Sequence, residues 1–263
     1  MPEGDTVWRA ARTLDRALSG QALTRSDFRV PAYATWDLTG ATVAETVSRG
    51  KHLLTRIDAD RSWTLHTHLK MEGGWRVLRP GQRWPRPAHT ARVVLETADA
   101  VAVGFQLGIV EIVPRDGEPD VVGHLGPDLL GPDWDADEAV RRLREQPDRA
   151  IKEALLDQRN LAGVGNMYAN ELCFVAGVAP ETPVARVPDL RRLVVRAQQM
   201  LDVNRHRAVQ STTGDLARGR TFWVHGRRGQ SCRRCGTRIA ETSRGPEGQE
   251  RVTYHCPRCQ PGR

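Results

Sequence analysis

The sequence predicts an α+β fold in three parts: a β-sandwich led by one helix, a helical stretch, and a small cysteine-bearing ribbon. Three features carry this reading. Short β-branched or alternating runs dominate up to about residue 125, and a 3.6-residue apolar period replaces them afterwards. Four of the five cysteines then crowd into the last 38 residues, which show almost no core-forming pattern.

Each element follows from local pattern. Val7, Ala11, Leu14 and Leu18 recur at intervals of four, three and four, so a helix is expected over Thr6–Leu18, with Asp5 as N-cap and Gly20 as stop. Strands are expected at Thr42–Val47, Lys51–Ile57, Trp63–Leu69, Ala91–Leu95, Val101–Phe105 and Gly108–Val113, separated by Gly, Pro, Asp or Ser. The Gly126-Pro127-Asp128 and Gly131-Pro132-Asp133 repeats read as a linker. Helices are then expected at Asp137–Gln146, Arg149–Gln158, Met167–Phe174 and Pro188–Asn204, the last with Leu190, Leu193, Val194, Ala197 and Leu201 on one face. The expected divisions are 1–125 for the sandwich, 126–225 for the helical part and 226–263 for the ribbon.

Composition narrows the partners. The 263 residues carry a net charge of +7 and a pI near 9.6, with 39% apolar and 27% charged residues. No run approaches the ~18 apolar residues of a membrane span, and no basic stretch leads into an apolar one at the N-terminus, so a soluble intracellular protein is expected. Of 39 basic residues only Lys51, Lys70 and Lys152 are lysines. Arginine's planar fork suits phosphate, which points to a polyanionic partner, although a GC-rich coding bias would produce the same excess. In either case each retained lysine merits inspection.

Cys232, Cys235, Cys256 and Cys259 form C-x2-C, a 20-residue spacer, and C-x2-C. That spacing predicts one tetrahedral structural zinc ion in a ribbon; two disulfides are the competing reading, opposed by a reducing compartment. Cys173 reads as a small buried hydrophobe on a helix.

The chain opens Met1-Pro2-Glu3-Gly4-Asp5. Removal of Met1 leaves a terminal prolyl secondary amine. An α-amino group has a pKa of ~8 against ~10.4 for lysine, so more of it is unprotonated and nucleophilic at neutral pH. The positive end of the following helix favours the free amine further. Glu3 adjoins it as a proton donor. Gly163 and Gly165 allow a tight turn before a helix whose free N–H groups suit phosphate, with Asn166 as an added donor.

Pro2-Glu3-Gly4, Arg49-Gly50-Lys51, His66-Thr67-His68-Leu69-Lys70-Met71-Glu72-Gly73, Leu161-Ala162-Gly163-Val164-Gly165-Asn166 and the four-cysteine ribbon occur in this order along the whole chain. Together they resemble the formamidopyrimidine-DNA glycosylase and endonuclease VIII family of base-excision repair. The resemblance implies a helix-two-turns-helix domain between sandwich and ribbon, and damaged double-stranded DNA as partner to a monomer associated with the nucleoid. It implies Pro2 as nucleophile, Glu3 as general acid and Lys51 in the catalytic centre. Lys51, His68, Asn166 and Arg251 would contact the DNA backbone, with Lys70 beside Met71, which would fill the gap left by the extruded nucleotide. The start Pro2-Glu3-Gly4 and the short stretch Thr213–Val224 resemble the endonuclease VIII branch, so oxidised pyrimidines are the expected substrates, with 8-oxoguanine the alternative. Asp5 departs from the Pro common there in the family, and Lys70-Met71-Glu72 mixes both branches. A non-catalytic zinc-containing DNA-binding protein is the competing function. It fits charge and zinc but leaves the Pro-Glu start without a reason.

Overall fold

The computed structural model describes residues 2–244 and 251–262, so the expected processing of Met1 lies outside the described residues. The chain divides into two compact units, Met1–His124 and Leu125–Arg263.

In the first unit, α1 (Gly4–Leu18) precedes eight strands: β1 (Arg25–Phe28), β2 (Thr42–Arg49), β3 (His52–Asp58), β4 (Ser62–His68), β5 (Gly74–Leu78), β6 (Ala91–Glu96), β7 (Val101–Phe105) and β8 (Ile109–Pro114). They form two antiparallel four-stranded sheets, ordered β1-β6-β7-β5 and β2-β3-β4-β8. Val43, Leu53, Ile57 and Leu65 from one sheet meet Val93, Leu95 and Ala102 from the other, together with Val7, Leu14 and Leu18 of α1. All ten are buried, so the sandwich closes over one shared core and the helix plugs it.

The sequence pattern missed three elements here. β1 is a four-residue strand with a polar sequence, β5 begins behind a Gly-Gly pair, and α2 (Glu118–Val122) spans only five residues. A charge fork docks α2: Arg56 donates to both Glu118 carboxylate oxygens at 2.8 and 2.7 Å and to Glu45 at 2.6 Å. Glu3, not Asp5, is the N-cap of α1. The Glu3 carbonyl accepts from the N–H groups of Thr6 and Val7 at 3.0 Å, and Asp5 lies buried inside the first turn.

The second unit contains α3 (Ala136–Arg144), α4 (Ile151–Leu156), α5 (Asn166–Ala176), α6 (Leu190–Arg205) and the hairpin β9 (Ala240–Arg244) and β10 (Arg251–His255). Asp135 and Asp189 cap α3 and α6 by accepting from backbone N–H groups. Leu143, Leu155, Tyr168, Leu172, Val194 and Leu201 make the helical core. The first of the two expected linker repeats is packed, whereas Pro132 and Asp133 of the second are exposed. Leu125–Leu129 are buried, Gly126 N–H donates to Gln158 O at 2.9 Å, and Leu129 N–H donates to Ala162 O at 3.1 Å. The ribbon also has apolar support beyond its cysteines: Phe174 of α5 shares a buried cluster with Val224, Cys232, Ile239 and Cys256. The Gln260 amide donates to Val178 O at 2.9 Å, tying the ribbon's end to the turn after α5.

Candidate nucleic-acid interface and reactive terminus

Pro2 sits where α1 begins and lines a cavity of about 520 Å3, together with Thr6, Arg9, Leu69, Trp75, Arg76 and Arg86. Glu3 follows in extended backbone and is fully buried. The structure therefore places a partly accessible Pro2 beside an adjacent desolvated carboxyl group.

Leu69 carries the cavity wall toward a second group of expected residues. Lys51 occupies the tight β2–β3 turn, and cross-strand pairing of His52 with His68 sets that turn beside the end of β4. Lys70 and Met71 follow in the β4–β5 turn, where Met71 is 66% exposed. An exposed flexible apolar side chain at a turn tip is unfavourable in water and suits insertion into a base stack. Lys70 (φ 53°) and Gln106 (φ 49°) are the non-glycine residues with positive φ among those described, and they belong to neighbouring turns. The Gln106 amide donates to Glu72 at 3.2 Å, while Arg86 donates to Glu72 O at 3.0 Å and to the Gln106 side chain at 2.9 Å. The Lys70 side chain lies across Gly108, where a Cβ would come within 2.1 Å of Lys70 Cγ. Unusual backbone is thus held in place around Met71 by its surroundings.

His68 emerges with a defined state. Burial, then the charges of Lys70, Lys51 and His66, push its pKa down to about 4. Lys70 N–H donates to His68 Nδ1 at 2.9 Å, so the neutral ring carries its proton on Nε2 and can donate it to an anion.

No role was expected for His52, His66 or His124 from the sequence, yet strand register gathers them here. Glu111 opposes His66 across β8 and β4, with Oε2 2.8 Å from Nδ1, and His66 Nε2 lies 2.7 Å from His52 Nδ1. The His52 ring stacks on His66 and meets His68 edge-on, both at 5.0 Å, with His124 at 6.3 Å. Burial, followed by His68, His66, His124 and Lys70, lowers the His52 pKa to about 3. The tautomer with the His66 proton on Nδ1 lets His66 donate to Glu111 and accept from His52 Nδ1. The signal was present as alternate histidines on one strand, but only the register discloses their partners.

In the second unit, the turns between α4 and α5 present Asn166. Gln158 braces them, its amide donating to Leu156 O and Val164 O at 2.9 Å and its oxygen accepting Gly163 N–H at 3.0 Å. Gly163 has φ +118°, a backbone state that disfavours any side chain. Asn166 Nδ2 donates to Val252 O at 2.9 Å, which brings this turn against β10 and its exposed Arg251. Asn166 Oδ1 is buried without a partner. Sequence reasoning also missed Glu171. Fully buried on α5, it accepts from Thr212 Oγ1 and, at 2.8 Å each, from the backbone N–H groups of Trp223, Val224 and His225. Burial pushes its pKa up against those donors. Glu171 thereby fixes the base of the 212–225 segment.

The four ribbon cysteines converge, with all sulfur atoms within 4.8 Å of one another. Zn–S bonds of ~2.3 Å in a tetrahedron require S···S separations of about 3.8 Å. Cys232 Sγ lies 3.9 Å from Cys259 Sγ and Cys235 Sγ 3.4 Å from Cys256 Sγ, so the set fits one metal ion. Backbone N–H groups of Arg234 and Cys259 approach Cys232 and Cys256 sulfurs at 3.4 Å, as expected around thiolate ligands. Among the described residues this is the one such group of metal-ligating side chains. Cys173 stands apart from it, buried on α5, where burial raises its thiol pKa to about 12.

Comparison with known proteins agrees with this layout. The profile of the formamidopyrimidine-DNA glycosylase N-terminal domain matches residues 1–106, and that of the formamidopyrimidine-DNA glycosylase H2TH domain matches residues 125–213. The chain is 55% identical to a probable endonuclease 8 2 of Streptomyces coelicolor, covering 100% of this chain and 95% of that one. It is 54% identical to the DNA-(apurinic or apyrimidinic site) lyase Nei2 of Mycolicibacterium smegmatis, covering 99% of both. Among solved structures, the Lactococcus lactis Fpg (MutM) complex with DNA containing N7-benzyl-Fapy-dG superposes with a TM-score of 0.80 at 24% identity, covering 99% of this chain and 100% of that one. That similarity establishes the fold.

Proposed function

Because the chain belongs to the formamidopyrimidine-DNA glycosylase and endonuclease VIII family, on its endonuclease VIII-like branch, we infer a chemistry for its named residues. The protein is a DNA glycosylase with AP lyase activity that acts in base-excision repair. Its partner is damaged double-stranded DNA.

The observation that carries the mechanism is the junction of Pro2, at a cavity, with the buried carboxyl of Glu3. The Pro2 nitrogen attacks C1′ of an extruded nucleotide, and the base departs with the electron pair of its glycosidic bond. Glu3 protonates the ring oxygen as the sugar opens. A secondary amine gives an iminium that stays cationic, which acidifies C2′–H. Its loss expels the 3′ phosphate, and a second elimination expels the 5′ phosphate. The amino-terminal end of α1 disfavours the protonated amine and so favours attack. Lys51 and neutral His68 Nε2–H hold phosphates beside the lesion, Lys70 adds charge there, and Met71 occupies the vacated stack. Asn166 and Arg251 grip the backbone from the second unit.

Oxidised pyrimidines are the preferred bases. Thr6, Arg9, Arg76 and Arg86 give the cavity donors suited to exocyclic carbonyl oxygens, and damaged pyrimidines unstack at low cost. The 213–221 segment supports this choice by closing on itself, with Thr213 N–H donating to Thr221 O at 3.3 Å and Arg220 N–H to Ala217 O at 2.9 Å. One zinc ion holds Cys232, Cys235, Cys256 and Cys259 in a structural role. Among the described residues the exposed large apolar side chains are Met71, Val203, Val209 and Leu216, a small number for an oligomer interface, which supports a monomer.

On a duplex with one abasic site, the protein should nick the strand and leave phosphates at both ends. A variant that retains Met1 should bind the same duplex without nicking it. Nicking at the wild-type rate by that variant would overturn the mechanism. Single-turnover rates should be higher on thymine glycol and 5-hydroxyuracil than on 8-oxoguanine paired with cytosine; the reverse order would place the substrate preference with purines.

A further inference from the structure

Lys152 is the one lysine of this arginine-rich chain to which the mechanism assigns nothing, and it is only 5% exposed. From α4 its Nζ donates to Val252 O at 3.1 Å and to Thr253 Oγ1 at 2.5 Å. Both acceptors lie on β10, immediately after Arg251. Val252 O also receives the Asn166 amide at 2.9 Å and, more distantly, the Asn170 amide at 3.5 Å. Three side chains from α4 and α5 thus converge on one carbonyl of the ribbon strand.

We propose that Lys152 is a positioning residue: a buried ammonium latch that sets β10 against α4 and α5, so that Arg251 and Asn166 are presented together to the DNA backbone. This rests on the reading of Arg251 as a backbone contact. The chemistry explains why lysine stands here. A compact ammonium directs tetrahedral donors at two oxygens on consecutive residues, whereas a planar guanidinium needs a broad slot that a nearly closed site lacks. A charged donor also strengthens both bonds, and burial makes the geometry costly to leave. The titratable and charged groups facing the ammonium are Cys173 and His225, Glu153 on its own helix, and Arg251. Burial foremost brings the Lys152 pKa down to about 8, and it holds His225 near 4 and Cys173 near 12, so neither of those two titrates in the same range. Above pH 8 the latch keeps two N–H donors but loses its charge.

The test measures affinity of the intact protein for a duplex carrying a tetrahydrofuran abasic analogue, across a salt series. Lys152→Met should weaken binding about tenfold and reduce the salt slope by about one, the same change expected of Arg251→Ala. The double variant should bind within about twofold of Arg251→Ala alone, because the latch acts through the arginine. Thermal melting and metal content identify a variant that has misfolded. In that event the wild-type protein supplies the readout: its affinity should fall with a midpoint near pH 8, and Arg251→Ala should lack that step. Independent, additive losses, or full affinity in a folded Lys152→Met, would overturn the latch while leaving Arg251 in place. Full affinity in Arg251→Ala would overturn the backbone contact and the latch with it, and nicking of abasic DNA would still report separately on the glycosylase and lyase reading.

Discussion

The two units differ most in where they keep their charge. Met1–His124 contains 16 basic and 15 acidic residues, whereas Leu125–Arg263 contains 23 and 17. Within the second unit the excess is confined further: residues 226–263 hold nine arginines and three glutamates. The nearly neutral unit carries Pro2, the buried Glu3 and the histidine cluster, to which the proposed mechanism gives the bond-breaking chemistry and the phosphate contacts beside the lesion. The basic unit carries Asn166, Arg251 and the four cysteines, whose proposed grip on DNA depends on geometry held by Gln158, Glu171 and the metal the cysteines would bind. On that reading the chemical step lies in the first unit and the ribbon-side grip in the second, and perturbations should separate them.

The largest separation should come from Glu3→Gln. Base release should fall by about two to four orders of magnitude, with affinity for an abasic analogue within about twofold of wild type. Loss of affinity in proportion to rate would show that Glu3 acts in binding rather than in the chemical step. Metal removal, or Cys256→Ser, is the mirror experiment. Affinity should fall about a hundredfold as the ribbon loses its geometry, while the sandwich keeps its strands in circular dichroism. Loss of nicking with affinity intact would reverse the assignment of the metal. Metal analysis should find one zinc per chain.

The smallest effect concerns acid. His52 and His68 have folded pKa values near 3 and 4, below the ordinary 6.5, so between those limits the unfolded chain binds more protons. Stability from these rings is complete above about pH 6.5 and is lost as pH falls toward 4. His52→Phe keeps a ring against His66 and His68 but removes one titrating group. It should flatten the fall in melting temperature between pH 7 and 4.5 by a few degrees. An unchanged slope would mean that the cluster opens to solvent in acid before it titrates.

These contrasts also explain what the sequence could disclose. Apolar period located α1 and α6, each burying one face, and apolar or β-branched runs bounded by punctuation located α3 to α5 and six of the eight sandwich strands. β1 was hidden by its polar four residues, and α2 is held by Arg56 and Glu118 through a long-range fork rather than by a local stripe. The Gly-Pro-Asp repeats look like a linker locally, yet hydrogen bonds around the first, at residues 126–129, go to residues 158 and 162, which no local pattern specifies. Pro2, Glu3 and the cysteines were legible as motifs. The Glu111–His66–His52 chain and the Lys152 latch were not, since both depend on pairing across strands and helices.

The most direct measurement of the central claim is borohydride trapping of the protein on abasic DNA, followed by peptide mapping of the adduct. The account predicts a covalent product linked through the nitrogen of Pro2. An adduct on Lys51, Lys70 or Lys152, or no adduct from a protein that nicks the same DNA, would contradict it.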